Sequence, residues 1–357
     1  MRLELLRRQL TGANLNGFLV TQAENRRYLA GFTGSNGVLI ISPERQAIAT
    51  DSRYYEQVKQ QCPGWELLQV GYDFTGALPD LLREFGLSGG SVGFEAGDLS
   101  AANLLRWERA IQGQVALVHT EGFVEELRIQ KDAAEIAAIK KAIALADAAA
   151  NHIIPWLKPG QTELEVAWEL EVFMRTRGAE KLAFETIVAS GPNSAKPHAQ
   201  PSSRRLQAGE PITLDFGCVV DGYCSDITRT VCLGQPADSR YLEVWETVHR
   251  AQQAAFAGAV AGAPGCEVDK LARDVIRAAG YGYYFGHSLG HSLGLAVHEV
   301  PRYGATYTGP VPAGAVMTVE PGIYIPGWGG VRLEDVLLIT GEGHQILTMA
   351  DKPAVVA

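Results

Sequence analysis

Four carboxylates stand in two matched pairs along this sequence. Thr213-Leu214-Asp215-Phe216-Gly217 is answered by Thr318-Val319-Glu320-Pro321-Gly322, and each acid is followed by another, Asp226 and Glu334 respectively. The interval from Asp215 to Glu320 nearly equals that from Asp226 to Glu334, so the segments read as related hairpins, one per half-domain. Alternation along a strand puts Leu214 and Phe216 on one face and Asp215 on the other, and a hairpin returns Asp226 beside it. Carboxylates gathered in this way repel one another, by about 1 kcal/mol per pair at 4 Å in water and by more when buried. Bound cations or protons make such a cluster tolerable.

A nitrogen ligand is supplied by Gly286-His287-Ser288-Leu289-Gly290-His291-Ser292-Leu293-Gly294. Its glycines oppose a continuous helix and favour close backbone approach, and His291 is the ligand of choice. One imidazole among carboxylates gives a mixed sphere that manganese, cobalt, iron or zinc accept. His298 and His198 are candidates for polarising a substrate or carrying a proton near neutral pH. Taken singly, an Asp in an apolar strand is ordinarily a hydrogen-bonded partner and a lone His a satisfied polar group. The paired repeat with a Gly-flanked His between its halves is what favours a metal site.

These residues need a scaffold, and the length of 357 residues suggests two domains. Residues 1–122 alternate short elements: a helix to about Leu10, strands at Gly17–Thr21, Gly37–Ser42 and Gln46–Thr50, then a helix from Ser52. This pattern predicts a small α/β domain. Residues 123–357 open with an extended amphipathic helix from Val124 to about Trp156. Thr162 and Glu165 have capping-box spacing, which predicts a helix from Glu163 to about Arg177, stopped by Gly178. Strands and turns follow, with further helices at Ser239–Gly262 and Val268–Ala279.

With 46% hydrophobic and 20% charged residues, the chain has ordinary globular composition. A net charge of −9 argues against a nucleic-acid partner, since no basic stripe offers to neutralise phosphates. No apolar run approaches the ~18–20 residues that would cross a bilayer, and Met1–Leu10 lacks the core of a signal peptide. Five cysteines without a CxxC pair suggest neither a disulfide framework nor a thiolate metal site, and a reducing cytoplasm fits. Cys218 and Cys224 read as small buried apolar side chains.

The stretches Leu214–Gly217, Gly222–Thr230, Gly290-His291, Val319–Gly322 and Val331–Asp335 together resemble the five-ligand signature of the pita-bread metallopeptidases, which include aminopeptidase P, prolidase and methionine aminopeptidase. The resemblance covers nearly the whole chain. It implies an α+β catalytic domain with a pseudo-twofold repeat, preceded by a smaller α/β domain. Asp215, Asp226, His291, Glu320 and Glu334 are then expected to hold two divalent ions, manganese first and cobalt or zinc next, with Asp226 and Glu334 bridging.

Ala189–His198 and His298–Arg302 resemble loops of the proline-directed members, and Tyr28–Gly37 resembles their N-terminal domain. The implied activity is Xaa-Pro aminopeptidase, acting on peptides with proline at the second position, with Xaa-Pro dipeptidase as the alternative. Glu320 would accept the proton of the attacking water, while His298 and His198 donate to the tetrahedral intermediate. Thr228 and Arg332 are expected to orient ligands, and Tyr223, His287 and Arg302 to line the site or support it, Arg302 by holding a dipeptide's carboxylate. A metal-free creatine amidinohydrolase and a non-catalytic peptide-binding relative share this fold, but the intact ligand set speaks against both. The family resemblance also implies a homodimer.

Overall fold

In the computed structural model, which describes residues 1–357, the apolar runs of the first third of the chain pair into a six-stranded sheet. In spatial order its strands are Glu66–Gln69, Gln46–Thr50, Val38–Ile41, Gly17–Val20, Ser91–Glu95 and Ala116–Thr120. The central Gly17–Val20 strand pairs antiparallel with Val38–Ile41 and parallel with Ser91–Glu95. Its residues are buried throughout, as expected of a strand with helices packed on a mixed sheet. The compact unit built on this sheet runs from Met1 to Arg128. Residues 123–128 stay with it because Tyr28 donates to the Leu127 carbonyl at 2.7 Å and Arg128 to Asn25 at 2.7 Å.

The second compact unit, Ile129–Ala357, is built twice over. A helix pair, Ala133–Trp156 and Glu163–Thr176, precedes the antiparallel strands Ile187–Ser190, Pro211–Phe216 and Ile227–Leu233. A second pair, Arg240–Gly258 and Gly265–Ala278, precedes Gly290–Ser292, Val316–Val319 and Asp335–Thr340. Each half has its own core. Ile153, Leu170 and Met174 pack on Leu214 and Phe216 in the first, and Val248, Val268 and Ile276 pack with Met317, Val319 and Leu337 in the second. The repeat therefore extends beyond the acid-bearing hairpins to the helices that cover them.

Local sequence accounts for several element ends. Both reciprocal bonds of the Thr162/Glu165 capping box are present, and the helix runs Glu163–Thr176 with Gly178 in the left-handed region just beyond. The expected single helix from Val124 to Trp156 is instead two, Glu125–Arg128 and Ala133–Trp156. Asp132 interrupts it: its side chain caps Ala134 and Glu135 and starts the second helix in a full capping box. In the His-bearing segment, Gly290 lies so close to the Thr318 carbonyl that any Cβ would overlap it, which explains glycine beside His291. Gly217 stands in the same relation to Ser225 in the first half.

Candidate metal centre

Each acid is delivered by the end of a hairpin. Asp215 sits in the Pro211–Phe216 strand directly opposite Thr228, and Asp226 immediately precedes the returning strand Ile227–Leu233. In the second half Glu320 falls one residue past the Val316–Val319 strand, because Pro321 has no N–H with which to continue the ladder. Glu334 immediately precedes Asp335–Thr340, and its backbone N–H donates to the Thr228 carbonyl at 3.1 Å, joining the halves.

The side chains converge. Ligand atoms of Asp226, His291 and Glu334 lie within 4.8 Å of one another. His291 Nε2 is 3.7 Å from Asp226 Oδ2 and 3.3 Å from Glu320 Oε1. His291 Nδ1 lies 3.1 Å from the Ser292 carbonyl, which can only accept, so the proton belongs on Nδ1 and the Nε2 lone pair points into the cluster. That is the tautomer a metal ligand needs. Asp215 and Glu334 each spend one oxygen on protein, on Arg332 at 2.5 Å and on Thr228 at 2.6 Å. Their other oxygens, Asp215 Oδ1 and Glu334 Oε1, are buried with no hydrogen-bond partner. Burial first, and then the neighbouring carboxylates, hold Asp226 and Glu334 well above the usual range. Asp215 is also raised, by burial, although Arg332 opposes the shift. Burial pushes Glu320 the same way, but His291, when its ring carries both protons in the absence of a cation, outweighs burial by its bond and charge and leaves Glu320 lowered. Orphaned carboxylate oxygens, clustered anions and a correctly presented imidazole fit hard or borderline divalent cations.

Arg332 organises this cluster. Its guanidinium donates to Asp215 Oδ2, to Thr228 Oγ1 at 3.2 Å, to Tyr324 Oη at 2.7 Å and to the Pro197 carbonyl at 3.3 Å. Thr228 in turn donates to Glu334, so one side chain fixes two carboxylates and the loop preceding His198. A lysine ammonium cannot span these divergent acceptors. Arg332→Lys should therefore weaken divalent-ion binding about 10- to 100-fold, measured by calorimetric titration of metal-stripped protein; affinity within about twofold of the parent would refute this assignment.

The remaining sequence-selected residues divide. His198, His287, His298 and Arg302 line the same cavity as the cluster, whose volume is about 1060 Å³. The His298 ring meets His291 edge to face at 4.4 Å, and burial followed by the His291 charge lowers its pKa. His287 is also lowered by burial; its Nδ1 faces the Ser288 carbonyl and its Nε2 lies 2.9 Å from Tyr324 Oη. Arg302 makes no pair with Glu299, which is held instead by buried Lys131 at 3.2 Å. Tyr223 is not in the cavity: its hydroxyl donates to Glu135 at 3.0 Å and its ring packs beside Ile139 and Ile143. Of the roles expected of it, lining the site is not met. Burial pushes the Cys218 and Cys224 thiols up to about 11 and about 12, in keeping with their reading as buried apolar side chains.

Three contributors lie outside the motifs singled out from the sequence. Tyr324 links Arg332 to His287. Glu163, fully buried, accepts from Ser190, Asn193 and Ser202, and so clamps both ends of the loop that carries His198. Lys131 reaches Ser292 and Glu299, the neighbours of His291 and His298. Only Tyr324 leaves a sequence signal, an aromatic in the hairpin between Glu320 and Glu334.

Residues 2–130 match the creatinase/prolidase N-terminal domain, and residues 137–341 match metallopeptidase family M24. An uncharacterized peptidase, YqhT, of Bacillus subtilis is 42% identical over the whole of both chains. A solved Xaa-Pro dipeptidase from Bacillus anthracis superposes with a TM-score of 0.95 at 41% identity, covering 99% of each chain. An X-Pro aminopeptidase from Thermotoga maritima does so with a TM-score of 0.88 at 38% identity, over 98% of this chain and 99% of that one. With the pita-bread architecture and the ligand signature in place, this chain belongs to metallopeptidase family M24.

Proposed function

We propose that the protein is an Xaa-Pro aminopeptidase that hydrolyses the bond between an N-terminal residue and a following proline. The convergence of Asp226, His291, Glu334 and Glu320 around buried, unpartnered carboxylate oxygens carries this reading. It is supported by relatives whose names denote cleavage at Xaa-Pro. Asp215, Asp226, His291, Glu320 and Glu334 would hold two divalent ions, manganese first. Such ions supply Lewis acidity and an activated water when bound.

The side chains do the rest. Glu320 would accept the water's proton at Oε2, since Thr318 donates to Oε1. His298 and His198, which both line the cavity, would donate to the carbonyl oxygen as it gains charge. His287 is occupied by Ser288 and Tyr324 and serves as a neutral wall. The proline nitrogen has no N–H, so recognition rests on the shape of the ring, and Phe184, Ile187 and Pro197 offer apolar surface in the same cavity.

One observation favours a dipeptidase as the second reading. Arg302 is exposed, lines the cavity and is not engaged by Glu299, which leaves it available to a dipeptide's carboxylate. Metal-stripped protein reloaded with manganese, cobalt or zinc should cleave Ala-Pro-Ala after its first residue. Cleavage of Ala-Pro alone would make it a dipeptidase, and cleavage of neither with two ions bound would overturn the proline assignment. The homodimer and the cytoplasmic location rest on the family resemblance and the cysteine usage. No helix is long and apolar enough to cross a membrane.

A further inference from the structure

The cavity that holds the carboxylate cluster extends far beyond it, along one face of the Glu163–Thr176 helix. Leu164, Ala167, Trp168 and Glu171 line it, at the i, i+3, i+4, i+7 spacing of a single helical face. The opposite face, with Val166, Leu170 and Met174, is buried in the core, so the helix cannot turn to hide the first. Leu164 is 53% exposed and Trp168 65% exposed, which is unusual for large apolar side chains on a helix whose core face is already satisfied. The wall is also rigid. Glu163 at its first position is locked to Ser190, Asn193 and Ser202, and the Leu164 N–H donates to the Ser202 carbonyl.

We infer that this face is a subsite for the residues that follow the proline, and that the preferred substrates are peptides of at least four residues with apolar side chains after the proline. The inference rests on the Xaa-Pro reading above and names its substrate class. Continuity identifies the occupant, since the cavity that contains Asp226, His291 and Glu334 also contains Leu164 and Trp168. Size points the same way: pockets for drug-sized ligands occupy about 300–1,000 Å³. This one measures about 1060 Å³, more than two residues ending at a proline would fill. Of the acids that line the cavity, Glu171 on this face is ion-paired with Arg175, whereas exposed Glu185 opposes a C-terminal carboxylate beside it, so a chain that continues past it is favoured over one that ends there. Contacts made this far from the scissile bond raise kcat/KM by binding energy spent on orientation at the reacting carbonyl.

The test compares Ala-Pro-Ala with Ala-Pro-Phe-Leu-Ala on manganese-loaded protein, for the parent, Trp168→Ala and Trp168→Phe. The longer peptide should exceed the shorter in kcat/KM by about ten- to a hundredfold in the parent. That ratio should collapse towards unity in Trp168→Ala and be largely restored by Trp168→Phe. Equal rates for the two peptides in the parent, or a ratio that survives Trp168→Ala, would overturn the subsite while leaving the Xaa-Pro reading intact. Cleavage of neither peptide would overturn that reading itself. Size exclusion of Trp168→Ala separates the remaining occupant: dissociation of an oligomer together with an unchanged ratio would assign the face to a second copy of the chain and overturn the inference.

Discussion

Asp226→Asn is expected to bind divalent ions too weakly to load the centre and to lose at least about 10³-fold in Xaa-Pro hydrolysis, the equivalent of several kcal/mol of lost Lewis-acid stabilisation. The same substitution should stabilise the metal-free protein. Asp226 is raised first by its own burial and then by Glu334, Asp215 and Glu320, so its ionised form is opposed wherever no cation is present. The sign of the pH dependence follows. Between the ordinary carboxylate range and its raised native value, the folded state keeps a proton that the unfolded chain releases, so metal-free stability falls as pH rises through that window. Removing the ionisable group should flatten part of that slope. Saturating metal should reverse the order, because the parent gains about 2.7 kcal/mol at a hundredfold excess over Kd and the variant gains little. Thermal melts of both proteins, stripped and reloaded, at pH 5 and pH 8, measure all of this. A variant that melts below the parent when stripped, or that still gains from manganese as the parent does, would contradict the proposal that Asp226 is a metal ligand.

The largest stability effect should come from a residue outside the cavity. Arg229 is 1% exposed, and its guanidinium donates to the carbonyls of Thr228, Glu334, Ala350 and Asp351 and to Asp335 Oδ1. It thereby ties together the two strands that deliver Asp226 and Glu334. Asp335 also accepts from Thr348 and is ion-paired with Lys352. Arg229→Met leaves that carboxylate with less compensation and several carbonyls without donors, at a cost of about 3–5 kcal/mol. In a domain of this size the melting point should drop by about 6–20 °C. Arg229→Lys should recover only part, because an ammonium lacks the planar fork. Calorimetry of the metal-free proteins decides the matter, and a loss below about 1 kcal/mol would show the strands to be held by their own ladder. The double variant Arg229→Met/Asp335→Leu should be more stable than Arg229→Met alone, since it removes the stranded charge.

Much of the centre is legible in the chain itself. Asp215, Asp226, Glu320 and Glu334 can be paired because a repeat leaves nearly equal intervals, and His291 can be singled out because glycines flank it. Element types follow from local rules: the capping box at Thr162, the alternation through Leu214-Asp215-Phe216, the stop at Gly178. The break at residues 129–132 is hidden from periodicity because the apolar and alanine-rich run on either side suits a helix, and the Asp132 cap competes with it locally. Tyr223 departs from expectation for a different reason. Proximity in sequence to Asp226 says nothing of which way a side chain points in a two-residue strand, and it points at Glu135.

The order and spacing of residues set out the candidate ligands, their sequence along the chain and the strand and turn context that carries each. Tertiary structure decided which groups those ligands lean on. Arg332 meets Asp215 across 117 residues, Arg229 meets the Glu334 carbonyl across 105, and Glu163 meets Ser202 across 39. It also decided that Leu164 and Trp168 face the cavity that holds the metal ligands and not a neighbouring core. The reason is physical. Periodicity and capping are set within a few residues, whereas a hydrogen bond between distant segments depends on strand register and on how two half-domains close on each other, and no local pattern in the chain encodes that closure.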